Sequence, residues 1–90
     1  MRDSAFKALS DATRREILRL LAQRPRTVGE VVERFSLSQP AISRHLAVLR
    51  QAGLVAARRE GQSVVYTLDT TVMQDVVRSL LELGKNRRSQ

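Results

Sequence analysis

The stretch from Leu37 to Leu54, LSQPAISRHLAVLRQAGL, constrains the fold more than any other part of the chain. Ser38 offers a hydroxyl to the free N–H groups of a helix start, and Pro40 falls in the first turn, where a missing N–H costs nothing. Ile42, Leu46 and Leu49 recur at three- and four-residue spacing and form one apolar stripe. Gly53 supplies the left-handed residue that closes a helix. On a helical wheel Arg44, Ala47 and Gln51 point directly away from the stripe, flanked by Ala41 and Ser43, with Ser38 and Gln39 at the exposed amino end. Gln bonds adenine through two atoms, Arg bonds guanine and Ala touches the thymine methyl, so this outer row has the chemistry of a DNA major-groove helix. An ordinary amphipathic helix with a wet polar side has the same periodicity. The neighbouring segments decide between them.

Thr27-Val28-Gly29-Glu30 is a capping box, with Thr27 at the cap and Glu30 three residues on. Val28, Val31, Val32 and Phe35 follow as an apolar stripe, which predicts a helix over 27–35 and a turn from Phe35 to Ser38. A short helix, a tight turn and a capped second helix make a helix-turn-helix, in which the first helix braces the second and the second enters the groove. After Gly53 the period changes to that of a strand. Leu54 to Arg59 and Ser63 to Leu68 flank Glu60-Gly61-Gln62, with Val64, Tyr66 and Leu68 on one face and Val65 and Thr67 on the other. This is a β-hairpin whose turn type the residues leave open. Arg58 and Arg59 lie just before its tip and Gln62 on it. A basic hairpin directly after a groove helix fits a wing that meets phosphates or the minor groove, in preference to a charge-guarded edge ribbon.

Before the capping box, Ala5, Phe6 and Leu9 predict a short helix over 4–9, and Ser10-Asp11 is a second capping signal. From Ala12 the pattern Ile17, Leu18 and Leu21, widened by Leu20, predicts a helix that ends before Pro25. Arg14 and Arg15 occupy its first turn, which the helix dipole disfavours. Asp11 offsets one of them, and Arg14 is a candidate contact to the DNA backbone. At the other end Thr70 or Thr71 caps a last helix on which Val72, Met73, Val76, Val77, Leu80 and Leu81 cover more than one face. Half of so broad a stripe suits the core and half a subunit interface. Gly84 is expected to end this helix, giving one domain over 1–84 and a basic disordered tail over 85–90.

The 90 residues make a single domain. A chain of this size buries only roughly 60–65% of its unfolded surface, a marginal core that a partner subunit would support. The formal charge of +7 points to a polyanion. Its position is more informative: no acidic residue occurs between Glu33 and Glu60, a span holding Arg34, Arg44, Arg50, Arg58 and Arg59. The chain has no cysteine, which removes disulfides, thiolate metal sites and thiol redox chemistry. Ser43 and His45 lie about 200° apart around one helix, so they cannot form a catalytic pair. The expectation is no enzyme and no cofactor. No apolar run reaches membrane-spanning length and no signal-peptide pattern opens the chain, so a cytoplasmic protein is expected.

The order of elements and the strings ALSDATRREILRLL, FSLSQPAISRHLAVLRQAGLV and RREGQSVVYTL resemble the ArsR/SmtB family of bacterial winged-helix repressors, from about Ser4 to Leu83. Ala12 stands where the family usually has proline, a harmless change in a first helical turn. The resemblance implies a mainly α winged helix-turn-helix of five helices and two strands. It further implies a homodimer through its first and last helices, which brings Phe6 to the interface beside Val72, Met73, Val76, Val77 and Leu80. Such a dimer would bind an inverted-repeat operator on double-stranded DNA and block transcription. By position, Ser38, Gln39, Ser43, Arg44 and His45 match the family's recognition-helix contacts, and Arg59 and Gln62 its wing. Ala41, Arg58 and Arg14 join them from the residue reading above.

The metal-sensing members carry Cys-x-Cys where this chain has Val31 and Val32, or Asp and His on the last helix, where Asp75 has no histidine near it. The chain therefore resembles the cysteine-free, SdpR-like members, which implies no metal ligand and control by its own concentration or a sequestering protein. A winged-helix module that binds a protein is the alternative from another class; such modules usually lose the basic, small-residue outer face that this chain keeps.

Overall fold

The computed structural model describes the backbone of residues 2–88 and the side chains of residues 3–85. Eight elements follow in order: α1 (Arg2–Leu9), α2 (Ala12–Gln23), β1 (Arg26–Thr27), α3 (Val28–Val32), α4 (Gln39–Gln51), β2 (Val55–Glu60), β3 (Ser63–Leu68) and α5 (Thr70–Arg88). The strands form an antiparallel sheet in the order β1-β3-β2. This is a winged helix-turn-helix with one strand more than expected. The additional strand is only Arg26 and Thr27, paired with Tyr66 and Val65, and nothing in two residues between a proline and a helix cap announces it.

The core is built from the periodic residues. Ile17, Leu18 and Leu21 of α2, Val31 of α3 and Ile42, Leu46 and Leu49 of α4 meet Leu54 and Val55 at the root of the wing. Ile42, Leu46 and Leu49 are fully buried, each contributing roughly 1.5–3 kcal/mol through removal of apolar surface from water. Their burial fixes the rotation of α4 and so dictates which residues face outward.

Local polar groups set the element ends. Asp11 caps α2 by accepting from Arg14 N–H at 3.0 Å. The capping box at α3 closes in both directions, Thr27 N–H to Glu30 Oε1 at 2.8 Å and Glu30 N–H to Thr27 Oγ1 at 3.2 Å. This helix is shorter than 27–35. Arg34 and Phe35 donate to Val31 and Val32 three residues back, so the final turn tightens out of α geometry while Phe35 still packs on the core. Arg26 is buried and donates to the Leu20 carbonyl at 3.3 Å and Gln23 Oε1 at 2.7 Å, a cation at the negative end of α2.

The structure settles the turn type that the sequence leaves open and corrects two expectations at α5. Gly61 has φ 61° and no other residue of the loop has positive φ, so the two-residue turn has the glycine-first pattern of type II′ and not type I′. The side chain at the start of α5 is Asp69, which accepts from Thr71 N–H at 3.0 Å; neither threonine serves as the cap. Gly84 does not end α5, which runs to Arg88. A single glycine costs a helix only about 1 kcal/mol, too little to stop it. Ser89 and Gln90 of the expected tail lie outside the described residues. Among the described residues no helix is long and apolar enough to cross a membrane.

Candidate nucleic-acid interface

The outer row of α4 is the centre of the site. Ser38 caps the helix by accepting from Ala41 N–H at 3.3 Å, so its oxygen is partly committed to the backbone. Gln39, Ser43, Arg44, Ala47 and Gln51 are exposed, and Ala41 is half-buried. The Arg44 side chain makes no hydrogen bond or ion pair among the described residues. The side chains of Arg34, Arg50 and Arg59 share that property. Every other arginine with a described side chain has an internal partner, and that difference sorts cations that hold the fold from cations left for a ligand.

Arg14, the expected contact to the DNA backbone, has internal partners and belongs to the first group. Its Nε donates to the Ala8 carbonyl at 2.8 Å and its Nη2 to the Lys7 carbonyl at 3.2 Å. Arg15 Nη1 donates to the Leu9 carbonyl at 2.8 Å. The two arginines that burden the start of α2 therefore serve the negative end of α1, whose last carbonyls lack helical partners. Arg14 Nη1 also lies 3.3 Å from His45 Nδ1, with Asp11 Oδ2 at 3.9 Å from the same nitrogen. His45, expected among the DNA contacts of α4, is half-buried and has its ring toward Arg14 and Asp11 at the start of α2. The Asp11 carboxyl is held below its ordinary range chiefly by the Arg14 backbone N–H, with burial opposing and the His45 and Arg14 charges assisting.

The hairpin divides its two arginines. In the register Arg59 stands opposite Val64 and Arg58 opposite Val65. Strand alternation puts Arg59 on the face with Ala57, Val55, Tyr66 and Leu68, of which Val55, Tyr66 and Leu68 reach the core. Arg58 lies on the opposite face, held by Glu60 through Nε at 2.9 Å and Nη2 at 2.5 Å. Both partners are more than half exposed, so this pair contributes about 0–1 kcal/mol and yields easily to a phosphate. Gln62 sits exposed on the tip.

Between α4 and the hairpin lies an open cleft of about 460 Å³ lined by Ala47, Arg50, Gln51 and Tyr66. Arg50 and Tyr66 were absent from the expected site. Arg50 could have been found from its place in the acid-free span, whereas Tyr66 reads in sequence as an apolar position of a strand.

Of the residues expected at a subunit interface, Phe6, Val77 and Leu80 are exposed, at 39, 49 and 52%. Val76 is 3% exposed within the single chain, and Val72 and Met73 pack on the core. Those three thus pack within the single chain, on a helix that also lies beside α1. Leu81 and Leu83, left out of the expected set, are exposed at 68 and 64%.

The model of the bacterial regulatory protein arsR family matches residues 11–57 of the chain. The transcriptional repressor SdpR of Bacillus subtilis is 46% identical over 79 residues, 88% of each protein. The transcriptional activator HlyU of Vibrio cholerae is 43% identical over 78 residues, 87% of this chain and 72% of that protein. Among solved structures, an ArsR-like transcriptional regulator from Rhodococcus superposes with a TM-score of 0.89 at 31% identity, covering 98% of this chain and 83% of that one.

Proposed function

Because the chain belongs to the arsR family of bacterial regulatory proteins, whose members are DNA-binding transcriptional regulators and not enzymes, we propose that it is a homodimeric repressor acting on an inverted-repeat operator. The observation that carries this reading is the outer row of α4, exposed and acid-free, with an unpartnered Arg44 between Ser43 and Ala47. Arg44, Gln39 and Ser43 read base edges, and Ala41 and Ala47 let the helix approach. Arg59 and Gln62, with Arg58 once released from Glu60, meet the backbone or minor groove. Repression rather than activation follows the greater likeness to SdpR, which spans most of both proteins. Phe6 with Val77, Leu80, Leu81 and Leu83 forms the subunit interface, and a two-fold dimer reads half-sites about 34 Å apart, one DNA turn.

The repressor works in the cytoplasm and without a metal switch. Soft ions need thiolate or imidazole ligands, and the chain has no cysteine and one histidine, committed to Arg14 and Asp11. Among the described residues no three His, Asp or Glu side chains gather. Control then falls to the repressor's concentration, through an operator in its own promoter, or to a sequestering protein. Gel shifts against DNA upstream of its own gene, with random competitor, test this. Retarded, competitor-resistant complexes insensitive to micromolar zinc and chelator are expected. Binding no tighter than to random DNA, or a tenfold loss with zinc that chelator reverses, contradicts the repressor or the metal-free reading respectively.

A further inference from the structure

We propose that the cleft between α4 and β3 seats the sugar-phosphate strand dividing the major groove from the next minor groove, with Arg50 and Tyr66 as its phosphate contacts. The inference rests on the DNA-binding reading and adds a site to it. If α4 lies in a major groove and the wing reaches the adjacent minor groove, one strand must pass between them. The gap it must cross is the cleft lined by Ala47, Arg50, Gln51 and Tyr66.

The lining suits a phosphodiester. Arg50 is an exposed cation without a partner among the described residues, and Gln51 adds an exposed amide. No carboxylate lines the cleft, and Glu60, the acid of the hairpin strands, is on the other face with Arg58. Ala47 projects only a methyl group, which leaves room for the strand to come close. Tyr66 packs against the core, so its ring is already ordered, and the phenol hydroxyl is the one polar group its side chain offers to the cleft. That hydroxyl makes no hydrogen bond among the described residues.

Spacing supports the same assignment. Arg44 and Arg50 are separated by about 9 Å along the helix axis at about 1.5 Å per residue, against a major groove about 12 Å wide. With Arg44 on a base edge, Arg50 stands near the wall of the groove. Tyr66 shares its hairpin face with Arg59, so Arg50, Tyr66 and Arg59 form a track from the recognition helix toward the wing tip.

The test measures affinity for an operator fragment and a random duplex across a salt series, for wild type, Arg50→Ala, Arg50→Lys and Tyr66→Phe, with thermal melts to confirm folding. Arg50→Ala is expected to weaken both duplexes alike by about tenfold and to lower the salt slope by about one per bound subunit. Arg50→Lys keeps the slope. Tyr66→Phe weakens both by about threefold with the slope unchanged, since a neutral phenol releases no counterion. A methylphosphonate at the strand position between helix and wing footprints should weaken wild type and leave Arg50→Ala no weaker than on unmodified DNA. Wild-type affinity and slope in Arg50→Ala, a loss confined to the operator, or additive losses with the methylphosphonate overturns the site. Failure of wild type to prefer its operator overturns the underlying DNA reading instead, before any variant is compared.

Discussion

Helices α4 and α5 each press an apolar row onto the core, Ile42, Leu46 and Leu49 from the first and Val72, Met73 and Val76 from the second. The surfaces they leave exposed share almost nothing. That of α4 carries hydroxyl, amide, methyl and an unpaired guanidinium, chemistry that water tolerates and a polyanion satisfies. That of α5 carries Val77, Leu80, Leu81 and Leu83, 49 to 68% exposed, apolar surface that costs about 25 cal/mol per Å² to leave in water. Burial within one chain thus separates core from surface on both helices, and the chemistry of what remains outside suits a polyanion on α4 and an apolar partner on α5.

The largest effect is expected from placing the same charge at a buried and at an exposed apolar position of α5. Val76→Glu puts a carboxylate where only 3% of the residue is exposed, and is expected to cost about 4 kcal/mol or more and unfold the chain. Leu80→Glu is expected to leave a folded protein whose self-association is weaker by at least about 2 kcal/mol. Circular dichroism and sedimentation separate the outcomes, and identical behaviour would erase the distinction between the buried and the exposed position. Next in size is Gly53→Ala, at the point where the two helices meet. Gly53 has φ 78° and an added Cβ would stand 2.8 Å from Val72 Cγ2, so a loss of about 1–3 kcal/mol is expected, with melting lowered by roughly 4–8 °C per kcal/mol.

Arg14→Ala sharpens the contrast between fold-holding and ligand-facing cations. It is expected to lower stability by about 1–2 kcal/mol through the carbonyls of Ala8 and Lys7, and to leave the salt slope of DNA binding unchanged. Arg59→Ala should do the reverse, flattening the slope with melting intact. A flattened slope for Arg14→Ala would return it to the DNA contacts.

The smallest effect is set by acid. Backbone N–H groups hold Asp11 and Glu30 below their ordinary values of 3.8 and 4.5, Arg14 N–H for the first and Thr27 N–H for the second. The folded chain therefore binds fewer protons than the unfolded chain across this range. The stabilisation is complete above about pH 5 and is lost as pH falls through 4.5 and below 3.8. Melting temperatures from pH 7 to 3 check this, and Asp11→Asn should shallow the decline.

Where structure is decided by near neighbours, the sequence is legible. The Asp11, Thr27 and Ser38 caps, the turn at Gly53 and the rotation of α4 follow from groups within four residues of one another. What escapes depends on distant partners. β1 exists because Arg26 meets Tyr66, forty positions on. Arg14 reaches His45 across three elements, so its first-turn position gives no hint of its role. Val76 and Val77 are equally apolar, and only the packing of α5 beside α1 tells them apart. The division between Arg58 and Arg59 was available from strand alternation, since the face bearing Val55 and Tyr66 had to meet the core.

The central claim is that the outer row of α4 reads bases, and Arg44→Ala tests it most directly. Affinities for the upstream operator and for a random duplex should be measured at one salt concentration for wild type and variant. The account predicts a loss of about 1–3 kcal/mol on the operator, relaxed preference at one position in each half-site, and little change on random DNA. An equal loss on both duplexes would make Arg44 a phosphate contact and leave the outer row of α4 without its reader.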